Sequence, residues 1–392
     1  MIERAIRGSP RYHLWLLFLL SLSSLALFLF SRQLREGLTI TAMSQNVPWG
    51  FYIAQLTFLV GVAASAVMVV LPYYLHDFKV FGKITILGEF LAVPAVLLCP
   101  LFVAVDLGQP SRVMNIFFHP QLNSMLFWDT VALGGYLVLN LVIGWQTLEA
   151  ERREVPPARW VRPLILLSIP WAVSIHTVTA FLYAGLPARP FWFTAVLAPR
   201  FLASAFASGP SLLILLAFVV RRVSRFDPGD EAIRKLAVIV TYAMALNLFL
   251  FGAELFTVLY SGMEHHTVHL QYLFVGVEGQ RSPIAPFMWL SMALGVSATL
   301  LLLVPRIRTD FRVLPFICGM VFVAVWLDKG AGMLTGGFVP SPMGAITRYF
   351  PSLTEIFVGV GLYAFGALVL TMLYKMVLSV RGEGAWPEIE VE

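Results

Sequence analysis

The sequence predicts an all-α integral membrane protein of about ten transmembrane helices. Of its 392 residues 59% are hydrophobic and 12% charged, with a mean hydropathy of +0.81, more apolar side chain than a soluble core of this size encloses. The apolar runs have the length that crosses hydrocarbon, roughly 20 helical residues. In a ten-span topology 19 of the 27 Lys and Arg residues fall on the side that holds both termini and 8 on the other, which places the termini in the cytoplasm. The net charge of +5 follows from that topology and does not mark nucleic-acid binding.

The first run, 14–31, follows Arg4, Arg7 and Arg11; it is too long for a secretion signal, and no small-residue cleavage site precedes Arg32 and Arg35, so it reads as a retained helix. The second is 51–75. The third, 84–105, carries Glu89, Pro94 and Pro100 and stops at Asp106-Leu107-Gly108-Gln109-Pro110-Ser111-Arg112. The fourth, 125–147, opens near Asp129, and the fifth, 163–185, contains Pro170, His176 and Tyr183. The next four are 200–220, 236–260 with Glu254 near its end, 284–304, and 312–328 ending at Asp328. The last, 353–379, has Glu355 in its first turn. Inner loops are short and basic, as in Arg221, Arg222, Arg225, Arg234 and Lys235. Outer loops at 32–50, 106–124, 186–199, 261–283 and 329–352 are rich in Pro, Gly and aromatics, and together form a cap large enough to dock a partner protein.

No P-loop, no GxGxxG after a strand and no CxxCH haem-attachment site occurs. Cys99 and Cys318 both lie in apolar runs, which excludes a four-thiolate iron–sulfur cluster and argues for small buried side chains. The informative residues are ionisable groups in or beside the spans, because each is costly in hydrocarbon unless it is paired or faces a cavity. These are Glu89, Asp106, Asp129, His176, Glu254, Asp328 and Glu355. An interfacial bond to a partner is the alternative for each. A haem held between two helices needs two facing ligands, and only His176 lies deep enough. By topology Asp106, Arg112 and His176 reach one outer interface, where an imidazole and a carboxylate supply the hydrogen bonds and proton exchange that a quinone headgroup needs. A helix-end ion pair of Asp106 with Arg112 and a structural His176 are the competing accounts. His265, His266 and His269 follow Glu264 in a loop; without a carboxylate or thiolate at a fixed helical offset they read as a solvated or partner-facing surface, with no metal assigned. Glu89, Asp129, Glu254 and Glu355 are candidates for a proton route.

Several segments together resemble the NrfD family, the polysulfide-reductase membrane subunits (PsrC type): Asn46-Val47-Pro48-Trp49-Gly50; Asp106-Leu107-Gly108-Gln109-Pro110; Asn123-Ser124-Met125-Leu126-Phe127-Trp128; His176 with Arg189-Pro190-Phe191-Trp192; and Phe350-Pro351-Ser352-Leu353-Thr354-Glu355. The resemblance covers essentially the whole chain. Within the family, Tyr52-Ile53-Ala54-Gln55 and Val70-Leu71-Pro72-Tyr73-Tyr74-Leu75-His76-Asp77-Phe78-Lys79 most resemble the DsrP type, the quinone-reactive subunit of the DsrMKJOP complex of dissimilatory sulfur metabolism; the hydrogenase type HybB is the nearest competitor. The resemblance implies one transmembrane domain in the inner membrane. Residues 14–50 would give a peripheral helix and outer loop, 51–185 a first four-helix bundle with the quinone site, 200–328 a second bundle, and 353–379 a last peripheral helix. It implies His176 and Asp106 as catalytic residues, with Asn46, Trp49, Arg112 and Tyr183 binding menaquinone or ubiquinone, and no haem or iron–sulfur cluster in this chain. It implies as partners a periplasmic iron–sulfur subunit (DsrO-like), cytochrome subunits (DsrJ-like and DsrM-like) and a cytoplasmic iron–sulfur subunit (DsrK-like).

Two other classes fit ten spans. A secondary transporter would show broken helices at matching places in both halves; Pro94, Pro100 and Pro170 disturb the first half, and no matching pattern is read in the sixth to ninth spans. A passive anchor of a redox complex would not need Asp106 or His176.

Overall fold

A computed structural model describes residues 2–63, 66–75 and 79–381. Ten helices long and apolar enough to cross a membrane occur among the described residues: Pro10–Ile40, Phe51–Tyr73, Lys79–Asp106, Met125–Arg152, Val161–Ala184, Leu197–Val223, Asp230–Ser261, Ala285–Leu303, Leu314–Phe338 and Leu353–Val380, here the first to tenth spans. Helices satisfy their backbone groups internally, which is what hydrocarbon requires. The protein is thus an all-α integral membrane protein, and the β structure among the described residues is a ribbon of Gly276–Val277 against Gln280–Arg281. Three residues of the DsrP-like stretch at 70–79, His76-Asp77-Phe78, lie outside the described residues, as does the tail after Arg381.

Helix ends follow local chemistry. Pro10 opens the first span after Ser9, whose Oγ accepts from the Tyr12 backbone N–H. The seventh span starts at Asp230, earlier than hydropathy suggests, because Asp230 and Glu231 occupy the first turn, where acidic side chains complement the helix dipole. It ends at Gly262, whose φ of +60° suits glycine.

The second to fifth spans pack as one four-helix bundle and the sixth to ninth as another. The first and tenth pair with each other on the outside, and the tenth also lies on the third. Gly361 permits their close approach, since a side chain there would collide with Ala26. The sixth span packs on the second and fifth and so joins the bundles. Burial separates centre from periphery: 94% of the second span's apolar window is buried against 11% of the first's. The end carrying the termini and the Arg-rich loops is called the basic end below, and the opposite end the cap.

Two loops at the cap are more structured than the sequence suggests. The ninth span does not stop at Asp328 but runs on through a π-helical stretch, Trp326–Gly332, into a last α-helical stretch, Met333–Phe338. The run Asp328-Lys329-Gly330-Ala331-Gly332 is polar and glycine-rich enough to read as loop, and it is helical where it packs against the second, eighth and sixth spans. The second half therefore has an irregular helix after all, and Pro210 lies inside its sixth span. Lys329 and Arg200, counted among the eight outer cations, lie within spans. The segment after the seventh span forms a helix, Glu264–Phe274. His265 there is exposed, but His269 is buried, and its Nδ1 donates to the carbonyls of Gly336 at 2.6 Å and Val339 at 2.9 Å. It ties the cap to the end of the ninth span instead of facing solvent or a partner.

Candidate functional site

The cap end of the second span begins at Gly50, and two carboxylates meet there. Asp106, the last residue of the third span, is buried, and its Oδ1 accepts from the Gly50 backbone N–H at 3.3 Å. Glu355 reaches the same residue from the tenth span, so that a Cβ on Gly50 would lie 2.8 Å from Glu355 Oε1. Glycine is needed here because the carboxylate occupies the space of a side chain. The Glu355 oxygens accept from the Ser352 and Ala42 backbone N–H groups, each at 2.8 Å, and from the Tyr349 hydroxyl at 2.7 Å. With Ser352 Oγ accepting from the Glu355 N–H, this is a capping box that fixes the start of the tenth span. Tyr349 Oη also accepts from the Phe51 backbone N–H. Burial and the Glu355 charge together push the Tyr349 hydroxyl well above its ordinary pKa.

Beside this polar end lies an apolar groove of about 320 Å³, between the second, ninth and tenth spans and the start of the eighth. Phe51, Phe287, Trp326, Tyr349, Ile356 and Tyr363 are among its walls. Gln55 anchors two of them, accepting at Oε1 from Trp326 Nε1 and the Tyr363 hydroxyl at 2.8 Å each. The volume falls in the range of small-molecule sites, roughly 300–1,000 Å³. Its lining suits a hydrocarbon chain.

On the other side of Gly50 is an aromatic wall. Trp49 stacks on Trp192 with centroids 6.1 Å apart and meets the Tyr183 and Phe338 rings edge-on at 5.7 and 5.8 Å. Trp192 Nε1 donates to the Met333 carbonyl at 2.9 Å, and its indole occupies the place a side chain would take at Gly337. The buried Tyr183 hydroxyl is hydrogen-bonded to Thr57 Oγ1. Asp106, Glu355, Trp49 and Tyr183 are thereby assembled around one helix start.

The remaining sequence candidates are elsewhere. Asn46 is exposed and donates to Thr347 Oγ1 at 2.9 Å. Arg112 is exposed in the turn after Asp106, and no ion pair joins the two. His176 is fully buried, two helical turns deeper than Tyr183; neither ring nitrogen has a partner among the described residues, and it does not line the groove. Asp129 accepts from Thr179 Oγ1 between the fourth and fifth spans. Glu254 is paired with Arg200 at 2.9 Å, and Asp328 holds the same guanidinium at 2.7 Å. Glu89 sits towards the basic end with Oε2 unpartnered among the described residues, against a vestibule of about 300 Å³ whose mouth carries the Arg381–Glu151 pair at 2.8 Å. The four carboxylates proposed for a proton route thus occupy separate places, and the Glu355 oxygens are engaged in capping.

Sequence reading missed Arg200, Lys329, Gln55 and Tyr349. For Glu355 a signal existed, since Ser352-Leu353-Thr354-Glu355 before an apolar run spells a capping box. Arg200 and Lys329 also gave one, as cations at the edges of the spans 200–220 and 312–328, whereas Gln55 and Tyr349 gave none. Cys99 and Cys318 are buried free thiols.

A family model described as polysulphide reductase, NrfD, matches residues 39–336. The chain belongs to the NrfD family. The match takes in Asp106, His176, Trp49, Tyr183 and Trp192 of the aromatic wall and the π-helical stretch, and it ends before Phe338 and Glu355. Among relatives, this NrfD-family chain is 25% identical to a Halobacterium salinarum protein named as a membrane subunit of dimethyl sulfoxide reductase, over 91% of this chain and 89% of that one. It is 25% identical to a protein of Mesobacillus selenatarsenatis named as a subunit of selenate reductase, over 62% of this chain and 65% of the relative. It is 22% identical to the Hdr-like menaquinol oxidoreductase integral membrane subunit of Archaeoglobus fulgidus, over 94% and 93%.

Proposed function

We propose that this NrfD-family chain is the quinone-reactive membrane subunit of a multi-subunit respiratory oxidoreductase. It would exchange electrons between the quinone pool and an iron–sulfur partner docked on the cap. The observation that carries this reading is the apolar groove lined by Phe51 and Tyr349, next to the helix start at Gly50 where Asp106 and Glu355 meet. A quinone needs a lipid-like channel for its isoprenoid tail and hydrogen-bonding groups for its ring; the groove offers the first, and the carboxylates at Gly50, the residue before Phe51, offer the second. The relatives named for dimethyl sulfoxide reductase, selenate reductase and menaquinol oxidoreductase are each named as subunits, which supports a place within a larger complex.

In this reading the tail lies against Phe287, Trp326 and Tyr363. Tyr349, whose hydroxyl proton is held by Glu355, lines the headgroup end of the groove, and the Asp106 carboxylate exchanges a proton with the ring hydroxyl. Trp49 and Tyr183 close the site towards the first bundle. His176 takes a relay position behind Asp106 and Tyr183, because two turns of helix, about 10 Å, separate it from Tyr183. Electrons cross the cap to the partner's redox group. Within the family, Tyr52-Ile53-Ala54-Gln55 and the stretch at 70–79 favour a DsrMKJOP-like assembly with DsrO-like, DsrJ-like, DsrM-like and DsrK-like partners in the inner membrane. A hydrogenase or polysulfide-reductase-type complex, HybB-like, would use the same site with other partners.

Filling the groove tests the site. Ala331→Trp in the intact complex should raise the quinol KM by about tenfold or more while leaving assembly and partner-side activity unchanged. Unaltered quinol kinetics in a fully assembled Ala331→Trp complex would remove the groove from consideration.

A further inference from the structure

The groove beside Gly50 is short of hydrogen-bond donors. Four of its lining side chains can donate: Trp326, Thr335, Tyr349 and Tyr363. Three of them are committed to other side chains. Trp326 Nε1 and the Tyr363 hydroxyl both donate to Gln55 Oε1, and the Tyr349 hydroxyl donates to Glu355 Oε1. Thr335 is the fourth. It is 3% exposed and its hydroxyl makes no hydrogen bond among the described residues, yet the oxygen is not sealed inside the protein as that of Ser208 is.

The local backbone accounts for the free hydroxyl. A threonine inside a helix commonly turns its Oγ1 back to the carbonyl four residues earlier, as Thr57, Thr85, Thr241 and Thr299 do at 2.7–2.8 Å. For Thr335 that carbonyl belongs to Ala331, within the wider turn of the π-helical stretch, and the bond is not made. Buried polar groups are as a rule hydrogen-bonded, so an unpaired hydroxyl on the wall of a cavity points to a ligand.

Thr335 also sits at the right height. The ninth span passes the second at Gly330, where a Cβ would lie 3.2 Å from the Ala54 carbonyl. The second span begins at the cap and the ninth ends there, so they run in opposite directions. Five residues on from Gly330, about 7 Å of helix, bring Thr335 level with Gly50 and Phe51, about one turn back from Ala54 on the second span. That is the level at which Asp106 accepts from the Gly50 N–H. Ala331 and Thr335 lie one turn apart, and both line the groove.

We propose that Thr335 is a substrate-binding residue of the groove, its hydroxyl bonding one ring oxygen of the quinone while Asp106 serves the other. The proposal rests on the quinone reading above and supplies the neutral donor that the other groove side chains no longer offer. A hydroxyl suits this place because it donates to a quinone carbonyl and accepts from a quinol hydroxyl, and so holds the ring in both redox states. Thr335 itself transfers neither proton nor electron. Its bond also distinguishes a quinone from a lipid acyl chain, which the same apolar walls would otherwise accept.

The test is steady-state quinol kinetics of the intact complex, together with infrared difference spectra of the bound quinone. Thr335→Val keeps the shape and removes the hydroxyl. It should raise the quinol KM about threefold to tenfold, the worth of one neutral hydrogen bond, and move one quinone carbonyl band to higher frequency. Thr335→Ser keeps the hydroxyl and should leave both as in the wild type. The valine variant should be at least as stable to heat as the wild type, because the hydroxyl it removes has no protein partner among the described residues. A Thr335→Val complex with wild-type KM or unmoved carbonyl bands overturns the proposal. So does one that fails to assemble, since the hydroxyl is then structural, and so does a Thr335→Ser complex as impaired as the valine variant. The quinone reading fails separately: unaltered quinol kinetics in Ala331→Trp, which fills the same groove, would mean that no quinone occupies it.

Discussion

Arg200 on the sixth span holds Glu254 on the seventh at 2.9 Å, and its other nitrogen holds Asp328 at 2.7 Å. One guanidinium thus joins three helices of the second bundle, and it also lies over the Phe251 ring at 4.7 Å. Removing it strands two carboxylates in a largely buried site. Arg200→Met is expected to destabilise the protein by about 3–5 kcal/mol. The triple replacement with methionine at Arg200, Glu254 and Asp328 should recover most of that loss. Thermal unfolding of the detergent-solubilised complex measures both, and a single variant as stable as wild type would contradict the assignment.

Asp106 and Glu355 both touch Gly50 but differ in their other bonds. Asp106→Asn keeps the acceptor for the Gly50 N–H and removes the proton-exchanging group. It should therefore slow quinol turnover by about 10²–10⁴-fold with a smaller change in KM. Glu355→Gln weakens the capping box and the Tyr349 bond, so its main effect should be on the amount of assembled complex. His176→Ala should slow turnover and leave quinol KM unchanged, since His176 does not line the groove. Steady-state kinetics of assembled variants check these; wild-type turnover at both Asp106 and His176 would exclude them from the reaction.

His269 makes cap stability depend on pH. Burial lowers its pKa below the usual 6.5, against the opposing pull of its hydrogen bonds to Gly336 and Val339, while the unfolded chain still binds a proton near 6.5. Below that pH the unfolded state holds the extra proton, so stability falls as pH drops through 6.5 and is unaffected above it. Melting curves from about pH 7.5 to about pH 5.5 should show this loss in the wild type. His269→Asn, which keeps a donor for the Gly336 and Val339 carbonyls, should show a smaller slope.

The distribution of Lys and Arg predicts cytoplasmic termini. Alkaline phosphatase fused within 221–235 should be inactive and within 339–352 active. Activity from the first fusion would invert the topology.

The protein isolated from its partners should carry no haem b, because His176 is the one histidine deep in the first bundle among the described residues and no second ligand faces it there. An absorption spectrum with a stoichiometric Soret band would refute this.

The sequence by itself determined the spans and the alternation of charge, because hydrocarbon imposes helix length and the positive-inside bias acts on local loops. It also pointed to Asp106 and His176, since an ionisable residue in an apolar run stands out without any knowledge of packing. Only the tertiary structure decided which of those groups meet. Asp106 and Glu355 converge on Gly50 from helices far apart in the chain, and Arg112, six residues from Asp106, does not join them. Lys329 followed the same logic. In sequence it lies in a glycine-rich polar run that looks like loop, and its burial comes from the π-helical stretch and from the space left at Gly61 on another span. Local sequence encodes how long each helix is and which end it caps. Where its side chains point depends on the neighbours that bury it, and those are fixed by contacts between residues hundreds of positions apart.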